Sequence, residues 1–182
     1  MAPPSRLAPI VTALVFPTAA DLHRLVRIER SFPSHHRYSA DDFRRCLRRR
    51  RFETMILTEA AEDIGYAIVD RQGGSDAESV FLESLCIAPG ASAAGHGRRL
   101  MRLLEARYRE AMELQALPGA APFYERLGYI EVPARRHGRR RFYRKEGRLW
   151  LEAAYEAGQG EYAGAATHRT DRRLVGRRAA AT

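Results

Sequence analysis

The sequence predicts a protein of the α/β class, in which one mixed β-sheet packs against helices in an α+β arrangement. Segments with strand-like and helix-like apolar spacing alternate along the chain, and three successive strand-like runs form a meander. The third run precedes a glycine-rich loop, an amphipathic helix and another strand, an order that predicts parallel strands. A length of 182 residues, with 45% apolar and 29% charged residues, suits a single domain with a sizeable core.

The first predicted strand covers residues 9–16, which are mostly apolar. Together with the small residues that follow, this run also resembles the apolar core of a signal peptide. However, the segment before it carries a single basic residue, Arg6, and Thr18 with Asp21 forms a helix-capping box directly after it. We therefore interpret the run as a strand of the domain.

Two capped helices are predicted next. An amphipathic helix covers residues 21–30, after the first capping box, and Ser39 with Asp42 predicts the start of a second helix. The arginines at 48–51 suit the end of that helix, because the helix dipole favours cations there.

The centre of the chain predicts the core of the sheet. Residues 54–58 and 64–69 are rich in β-branched side chains and are joined by an acidic turn, which is typical of a hairpin. Residues 79–88 form the third strand of this meander. Residues 112–117 follow the long helix as a parallel strand, which a right-handed crossover would reach.

The last predicted elements are short. A helix over residues 122–127 ends at Gly128, a residue type that is common just beyond helix ends. Residues 129–132 and 141–143 are interpreted as the final two strands. From residue 158 the sequence is small, polar and basic, so we predict a disordered tail over 158–182.

The composition of the chain argues against disulfide-rich, metal-binding and membrane-spanning proteins. The formal charge of +9 arises from 31 basic residues, of which only Lys145 is a lysine, a bias that genome composition explains. Cys46 and Cys86 show neither a disulfide framework nor metal-ligand spacing, and the six histidines form no HxxxH pattern. We therefore expect no bound metal and a reducing, cytoplasmic location. No apolar run approaches the roughly 18 residues that span a membrane.

The glycine loop predicts an anion-binding site. Gly95 and Gly97 lie at the start of a segment whose apolar residues recur at three- and four-residue intervals, as in an amphipathic helix. The first N–H groups of a helix have no internal partner and lie at the positive end of its dipole, and glycine lets a diphosphate approach the backbone. Neither GxGxxG nor GxxxxGK[ST], the usual nucleotide patterns, is present.

Two motifs resemble those of a known family. The sequence IAPGASAAGHGRR at residues 87–99 resembles the coenzyme A pyrophosphate loop of the GNAT acyltransferase superfamily, usually written [RQ]xxGx[GA]. The sequence PFYERLGY at residues 122–129 is similar to the second signature of that family, FYxxLGF, at the expected separation. The resemblance covers about residues 8–152.

This resemblance implies a fold, a domain and an activity. The fold is a mixed sheet of six to seven strands with helices on both faces, splayed between the fourth and fifth strands, in a domain over residues 1–157. The implied activity is direct transfer of an acetyl group from acetyl-CoA to a primary amine, either a protein N-terminus or a small amine, in a ternary complex. We expect this protein to be a monomer or a homodimer.

The resemblance also implies how the coenzyme is held. The N–H groups of the loop at 93–98 bind the pyrophosphate, and the main chain of the strand at 85–87 binds the pantetheine arm in the splay. The residues assigned to the coenzyme are Leu85, Cys86, Ile87, Ser92, Ala93, Ala94, Gly95, His96, Gly97 and Arg98. Ser92 replaces the Arg or Gln of the family pattern, so we expect weakened binding, for which Arg98 or Arg99 compensates.

Two catalytic residues are expected. Tyr124, at the motif position, would protonate the leaving thiolate, although an aromatic side chain there also suits the core. Glu83 interrupts an apolar strand, on the same face as Leu85 by strand alternation, and should contact water or a partner. We interpret Glu83 as the general base for the ammonium acceptor, acting through a water chain; the alternative is a carboxylate paired with an arginine. A main-chain N–H after the splay is the expected oxyanion donor.

The acceptor has two interpretations, and the activity itself has a competing one. His35 and His36 fall in the loop that the family places beside the acceptor, where they either relay protons or are solvated. Residues 21–39 are similar to the same region of N-terminal acetyltransferases of the ribosomal-protein alanine type, but Leu117 stands where that group has Asn. The sequence APFY at 121–124 instead resembles arylalkylamine (serotonin) N-acetyltransferases, which lack that Asn.

The competing hypothesis is a non-catalytic GNAT-fold module that binds RNA or another anionic partner through the arginine-rich segment 135–148.

Overall fold

A computed structural model describes residues 12–30, 37–117, 119–133 and 141–147. Within these residues, seven strands form one sheet in the order β1-β2-β3-β4-β5-β7-β6. The strands are β1 (Thr12–Val15), β2 (Phe52–Glu59), β3 (Glu62–Asp70), β4 (Ser79–Ile87), β5 (Ala111–Ala116), β6 (Ile130–Val132) and β7 (Arg141–Lys145). β4 and β5 are parallel and the other neighbours are antiparallel. The predicted mixed sheet is confirmed.

Four α-helices flank the sheet in the described part of the chain. They are α1 (Leu22–Glu29), α2 (Ala40–Arg48), α3 (His96–Arg107) and α4 (Ala121–Glu125). Both predicted capping boxes are present, with reciprocal hydrogen bonds between Thr18 and Asp21 and between Ser39 and Asp42. The first box caps a short 3₁₀ turn, so the α-helix itself begins at Leu22, one residue later than predicted.

The helices cover both faces of the sheet, as the resemblance implied. On one face, α1 and α2 pack in a buried cluster that comprises Leu25, Ile28, Phe43, Cys46, Ile56, Tyr66, Ile68 and Cys86. On the other, α3 and α4 pack in a larger cluster that includes Met55, Ala67, Val69, Leu100, Met101, Leu104, Leu114 and Tyr124. Tyr66 and Ala67 of β3 belong to different clusters because successive strand side chains point to opposite faces.

β4 and β5 separate part of the way along their length. Residues Ser79 to Leu82 of β4 pair with Ala111 to Leu114 of β5, and the register ends there. β4 nevertheless continues beside β3 as far as Ile87, so a gap opens between the fourth and fifth strands. The structure therefore contains the expected splay.

A β-bulge in β4 lies where the splay begins. Ile68 and Val69, adjacent in β3, pair with Ser84 and Leu82 of β4, so Glu83 is an extra residue in the register. A bulge of this kind bends its strand and changes the direction of the side chains that follow.

The bulge changes the face on which Glu83 lies. Strand alternation predicted Glu83 on the same face as Leu85, and this prediction is wrong. The extra residue shifts the alternation, so Leu82 and Leu85 pack in the same cluster although they are three residues apart. Glu83 lies on the α1–α2 face. Burial raises the pKa values of Tyr38 and Cys46 there, and the charge of Glu83 raises them further.

Two turns differ in how well the sequence predicted them. The β2–β3 hairpin turns at Ala60 and Ala61, with φ angles of +49° and +68°, while the acids of the predicted acidic turn lie in the strand ends. Gly128 follows α4 with a φ of +87°, as expected of a glycine beyond a helix end.

Residues 9–11 of the predicted first strand and the predicted tail at 158–182 lie outside the described residues. Within the described ranges, no helix has both the length and the apolar character needed to cross a membrane.

Candidate active site

A cleft of about 1180 Å³ opens at the splay between β4 and β5. Its α1–α2 half is lined by Glu29, Arg37, Tyr38, Asp42, Arg45, Cys46, Arg49, Phe52, Tyr66, Phe81, Glu83 and Ser84. Its α3–α4 half is lined by Gly95, Gly97, Arg98, Leu117, Ala120, Phe123, Tyr124, Arg126 and Leu127. Because the splay leaves a gap in the sheet, one cleft connects groups that lie on opposite faces.

The N-terminus of α3 opens into the α3–α4 half. Gly95 has a φ of +79°, a conformation that favours glycine, and no side chain caps the helix start there. The first helical hydrogen bond of α3 runs from the N–H of Arg99 to the carbonyl of Gly95, at 3.0 Å. The N–H groups before it have no helical acceptor, and Gly97 and Arg98 both line the cleft. This end of the cleft is therefore suited to an anion.

Six of the ten residues predicted to bind the coenzyme line the cleft, namely Leu85, Cys86, Ile87, Gly95, Gly97 and Arg98. The three β4 residues follow the last β4–β5 pair, so they border the gap. Ser92, Ala93 and Ala94 form part of a 3₁₀ turn that leads to Gly95. The ring of His96 is buried beside β2, with Nε2 3.6 Å from Oε2 of Glu59, so only its main chain is available to the cleft. The role of these four residues stays a prediction.

Tyr124 belongs both to the core and to the cleft. Its ring packs against Phe123, with centroids 5.0 Å apart, and against Tyr129, at 5.9 Å. Its hydroxyl makes no hydrogen bond to any part of the chain that the structure describes. Burial raises the pKa of Tyr124 to about 12, so the phenol is protonated at neutral pH and can act as a hydrogen donor. The two interpretations of this residue are therefore compatible.

Glu83 is an exposed carboxylate within the α1–α2 half. Partial desolvation in the cleft and the neighbouring Asp70 carboxylate raise its pKa, while Arg51 lowers it. Arg51 itself is bound to Asp70, and in the described residues Glu83 forms no hydrogen bond or ion pair. The alternative of a carboxylate paired with an arginine is therefore not what the structure shows.

A buried network in the α1–α2 half was missed at the sequence level. Glu29 is only 3% exposed, and its carboxylate accepts hydrogen bonds from the Tyr38 N–H at 2.7 Å and the Tyr66 hydroxyl at 2.6 Å. The Tyr66 hydroxyl also lies 3.1 Å from Oγ of Ser84, in β4. Glu29 stands four residues after Leu25, on the apolar face of α1, and an acid at that position was the available signal.

Leu117, which follows β5, lines the α3–α4 half. The resemblance places an asparagine here in the ribosomal-protein alanine type. An apolar side chain can neither donate nor accept a hydrogen bond, so the difference from that group lies inside the cleft and changes its polarity.

The arginine-rich segment 135–148 is described only at residues 141–147. In that part, Arg144 pairs with Glu113 at 2.7 Å and Asp76 at 2.9 Å, and Lys145 pairs with Glu105 at 3.0 Å. Carboxylates of the chain itself thus neutralise these two cations. His35 and His36 lie outside the described residues. Among the described side chains, no group of three or more His, Cys, Asp or Glu converges as in a metal site.

Comparisons with known proteins agree with this geometry. Residues 51–131 match the model of the acetyltransferase (GNAT) domain. An acetyltransferase from Thermus thermophilus shares 21% identity, with a TM-score of 0.65 over 74% of this chain and 96% of that one. The ribosomal-protein-S18-alanine N-acetyltransferase from Escherichia coli shares 20% identity, with a TM-score of 0.60 over 74% and 91%. The PaiA N-acetyltransferase from Thermoplasma acidophilum, in complex with coenzyme A, shares 13% identity, with a TM-score of 0.62 over 75% and 99%.

A search of curated proteins by sequence found no significant match. At these identities the solved structures establish the fold, whereas the domain match rests on the sequence itself. That match covers the β2–β4 meander, the glycine loop with α3, and the α4 motif that carries Tyr124. Residues 51–131 therefore match the acetyltransferase (GNAT) domain over the region that holds both motifs of the cleft.

Proposed function

We propose that this protein transfers an acetyl group from acetyl-CoA directly to a primary amine, with both substrates bound at once. The observation that carries the proposal is a single cleft through the splayed sheet. An anion site at the start of α3 lies at one end of this cleft and the carboxylate of Glu83 at the other, and the protonated phenol of Tyr124 also lines it.

The α3–α4 half fits the diphosphate of coenzyme A. A diphosphate needs unpaired N–H donors, space close to the backbone and a nearby cation, which the helix start, Gly97 and Arg98 supply. A β-carbon built on Gly95 would meet no atom within 4 Å, so the approach to this turn is open. The pantetheine arm would run along the β4 edge that β5 leaves unpaired. When bound, acetyl-CoA supplies the activated acetyl group.

The α1–α2 half supplies the base. Glu83, with its raised pKa, takes a proton from the ammonium form of the acceptor through water and leaves a neutral nitrogen. A main-chain N–H of the open β4 edge stabilises the charge that develops on the acetyl oxygen. As the carbon–nitrogen bond forms and the carbon–sulfur bond breaks, Tyr124 donates its phenolic proton to the sulfur. The nitrogen then loses its second proton, which passes through water to the Tyr124 phenolate, and Glu83 releases the first proton to solvent.

The experiment that tests this proposal follows thiol release from acetyl-CoA with the purified protein. Direct transfer predicts that release depends on both acetyl-CoA and an amine, and that incubation with acetyl-CoA alone leaves no acetyl group on the protein by mass spectrometry. Thiol release without an amine, or a covalent acetyl-enzyme, would contradict the direct route. An absence of release with every small amine and N-terminal peptide tested, despite coenzyme binding by calorimetry, would contradict the activity. In that case salt-dependent RNA retention, lost when residues 139–141 are replaced by alanine, would favour the binding module.

A further inference from the structure

The face of α2 that lines the cleft carries a defined pattern of charge. The cleft-lining residues are Asp42, Arg45, Cys46 and Arg49, a spacing of three, four and seven residues that places them on one side of the helix and its C-terminal cap. The intervening arginines at 44 and 48 do not line the cleft. The two cleft-facing arginines are separated by one helical turn of about 5.4 Å.

On the cleft-lining face of α2, positively charged side chains outnumber negatively charged ones. Arg45 binds Asp42 at 2.7 Å, whereas the guanidinium of Arg49 forms no ion pair within the described residues. The outer edge of the α1–α2 half is therefore positive.

The inner part of the same half is negative. Glu83 lies on β4 beneath α2, and Glu29 is buried with its carboxylate bound to Tyr38 and Tyr66. Burial raises the pKa of Cys46; Glu83 raises it further and Arg49 lowers it, so both charges lie near that thiol. Charge thus changes sign from the base of this half to its edge.

We propose that the acceptor is a primary amine that also carries an anionic group, a carboxylate or a phosphate, separated from the amine by a short spacer. This inference rests on the proposed acetyl transfer and names the substrate class for the same site. The ammonium group of such a molecule is attracted to Glu83, and its anion meets Arg49 and Arg45, whose planar guanidinium groups suit carboxylate and phosphate oxygens. Polyamines and lysine-rich segments place a second cation against the same arginines and are disfavoured.

The test compares amines of matched length and different charge. Binding of γ-aminobutyrate, its uncharged amide and putrescine is measured by calorimetry in the presence of coenzyme A, and phosphoethanolamine is compared with ethanolamine. We expect the amines that carry an anionic group to bind about tenfold more tightly than the counterparts that lack it, which corresponds to about 1.4 kcal/mol. Putrescine, with a second cation in its place, should bind most weakly. The two series distinguish a carboxylate from a phosphate. Raising the salt concentration should reduce the preference.

Two charge-reversal variants make the test specific. Arg49→Glu should abolish the preference for anionic amines and improve putrescine binding. Arg48→Glu makes the same change in net charge at the adjacent exposed position, off the cleft-facing side, and should leave the preference intact. Equal affinities for the three amines of the first series, or equal effects of the two variants, would overturn the inference.

A parallel thiol-release assay with the same amines separates this inference from the activity on which it rests. A charge preference in binding with no acetylation of any amine would contradict the proposed function and leave the charge preference standing. Acetylation that proceeds equally well with charged and uncharged amines would support the function and contradict the inference.

Discussion

The two halves of the cleft present different parts of the chain to a bound molecule. The α3–α4 half offers mainly backbone, in the N–H groups at the start of α3 and the β4 edge that β5 leaves unpaired. The α1–α2 half offers side chains from α1, α2, β3 and β4, of which Glu29, Tyr66 and Ser84 form one hydrogen-bonded network. Backbone recognition suits a cosubstrate shared by a whole family, whereas side chains can differ from one member to the next.

The halves also differ in how they were assembled. The loop and the helix that form the anion site are contiguous in sequence, from Pro89 to Arg107. The groups of the α1–α2 half are separated by up to 55 positions, from Glu29 to Ser84, and only the folded sheet brings them together. A local motif can therefore predict the first half, and no local motif can predict the second.

The largest expected effect is at Tyr124, the proposed general acid in the α3–α4 half. Tyr124→Phe should reduce the rate of thiol release by about 10²-fold or more, the usual range for loss of a general acid, with little change in coenzyme affinity. Tyr129→Phe is the matched control, because Tyr129 packs against the same ring but does not line the cleft. Single-turnover kinetics measure the effect. If the two variants had the same rate, Tyr124 would be only a core aromatic.

Glu83→Gln tests the side-chain half and should lower kcat/KM at neutral pH by about 10²-fold. Activity of the wild type should rise with pH through the raised pKa of Glu83, above its ordinary value of 4.5, since only the ionised form is a base. That limb of the pH profile should disappear in the variant. The control variant Glu78→Gln, at an exposed residue just before β4, should keep it. A limb that persists in Glu83→Gln would assign the base elsewhere.

The same variant has a stability signature. A raised folded-state pKa means that folding favours the protonated carboxyl, so its contribution to stability is present at low pH and is lost as the pH rises through that pKa. At neutral pH, Glu83→Gln should therefore leave the free energy of unfolding unchanged or slightly higher, as urea denaturation can measure. Loss of activity together with loss of stability would mean that Glu83 has a structural role.

Gly97→Ala should separate coenzyme binding from stability in the α3–α4 half. A methyl group would stand in the cleft beside the N–H donors, at 3.4 Å from the Phe123 ring, and should weaken coenzyme A binding about tenfold, or about 1.4 kcal/mol. Because alanine is the better helix former, α3 should become more stable by about 0.5–1 kcal/mol. Gly90→Ala, before α3 and away from the cleft lining, is the control. Unchanged affinity, measured by calorimetry, would move the phosphate site away from this turn.

The smallest expected effect on activity comes from Glu29→Gln. The amide can accept one of the two hydrogen bonds that the carboxylate accepts, so the variant should lose about 1–3 kcal/mol of unfolding free energy in urea denaturation. The KM for the amine should rise several-fold, or about 1 kcal/mol, because the segment that carries Tyr38 is held less firmly. The affinity for coenzyme A should not change. An equal loss of coenzyme affinity would mean that the two halves are not independent.

The sequence by itself determined the mixed sheet, both capping boxes and the glycine turn before α3, because these depend on local spacing and backbone conformation. Tyr124, which the sequence singled out by its local motif, lines the cleft, and its role as general acid stays a prediction. Only the tertiary structure decided the face of Glu83, because one inserted residue in β4 shifts strand alternation and is visible only in the pairing with β3. The structure likewise revealed the buried carboxylate of Glu29. Its two hydrogen-bond donors are the N–H of Tyr38, just before α2, and the hydroxyl of Tyr66, in β3, so the cost of burying this charge is offset only in the folded protein.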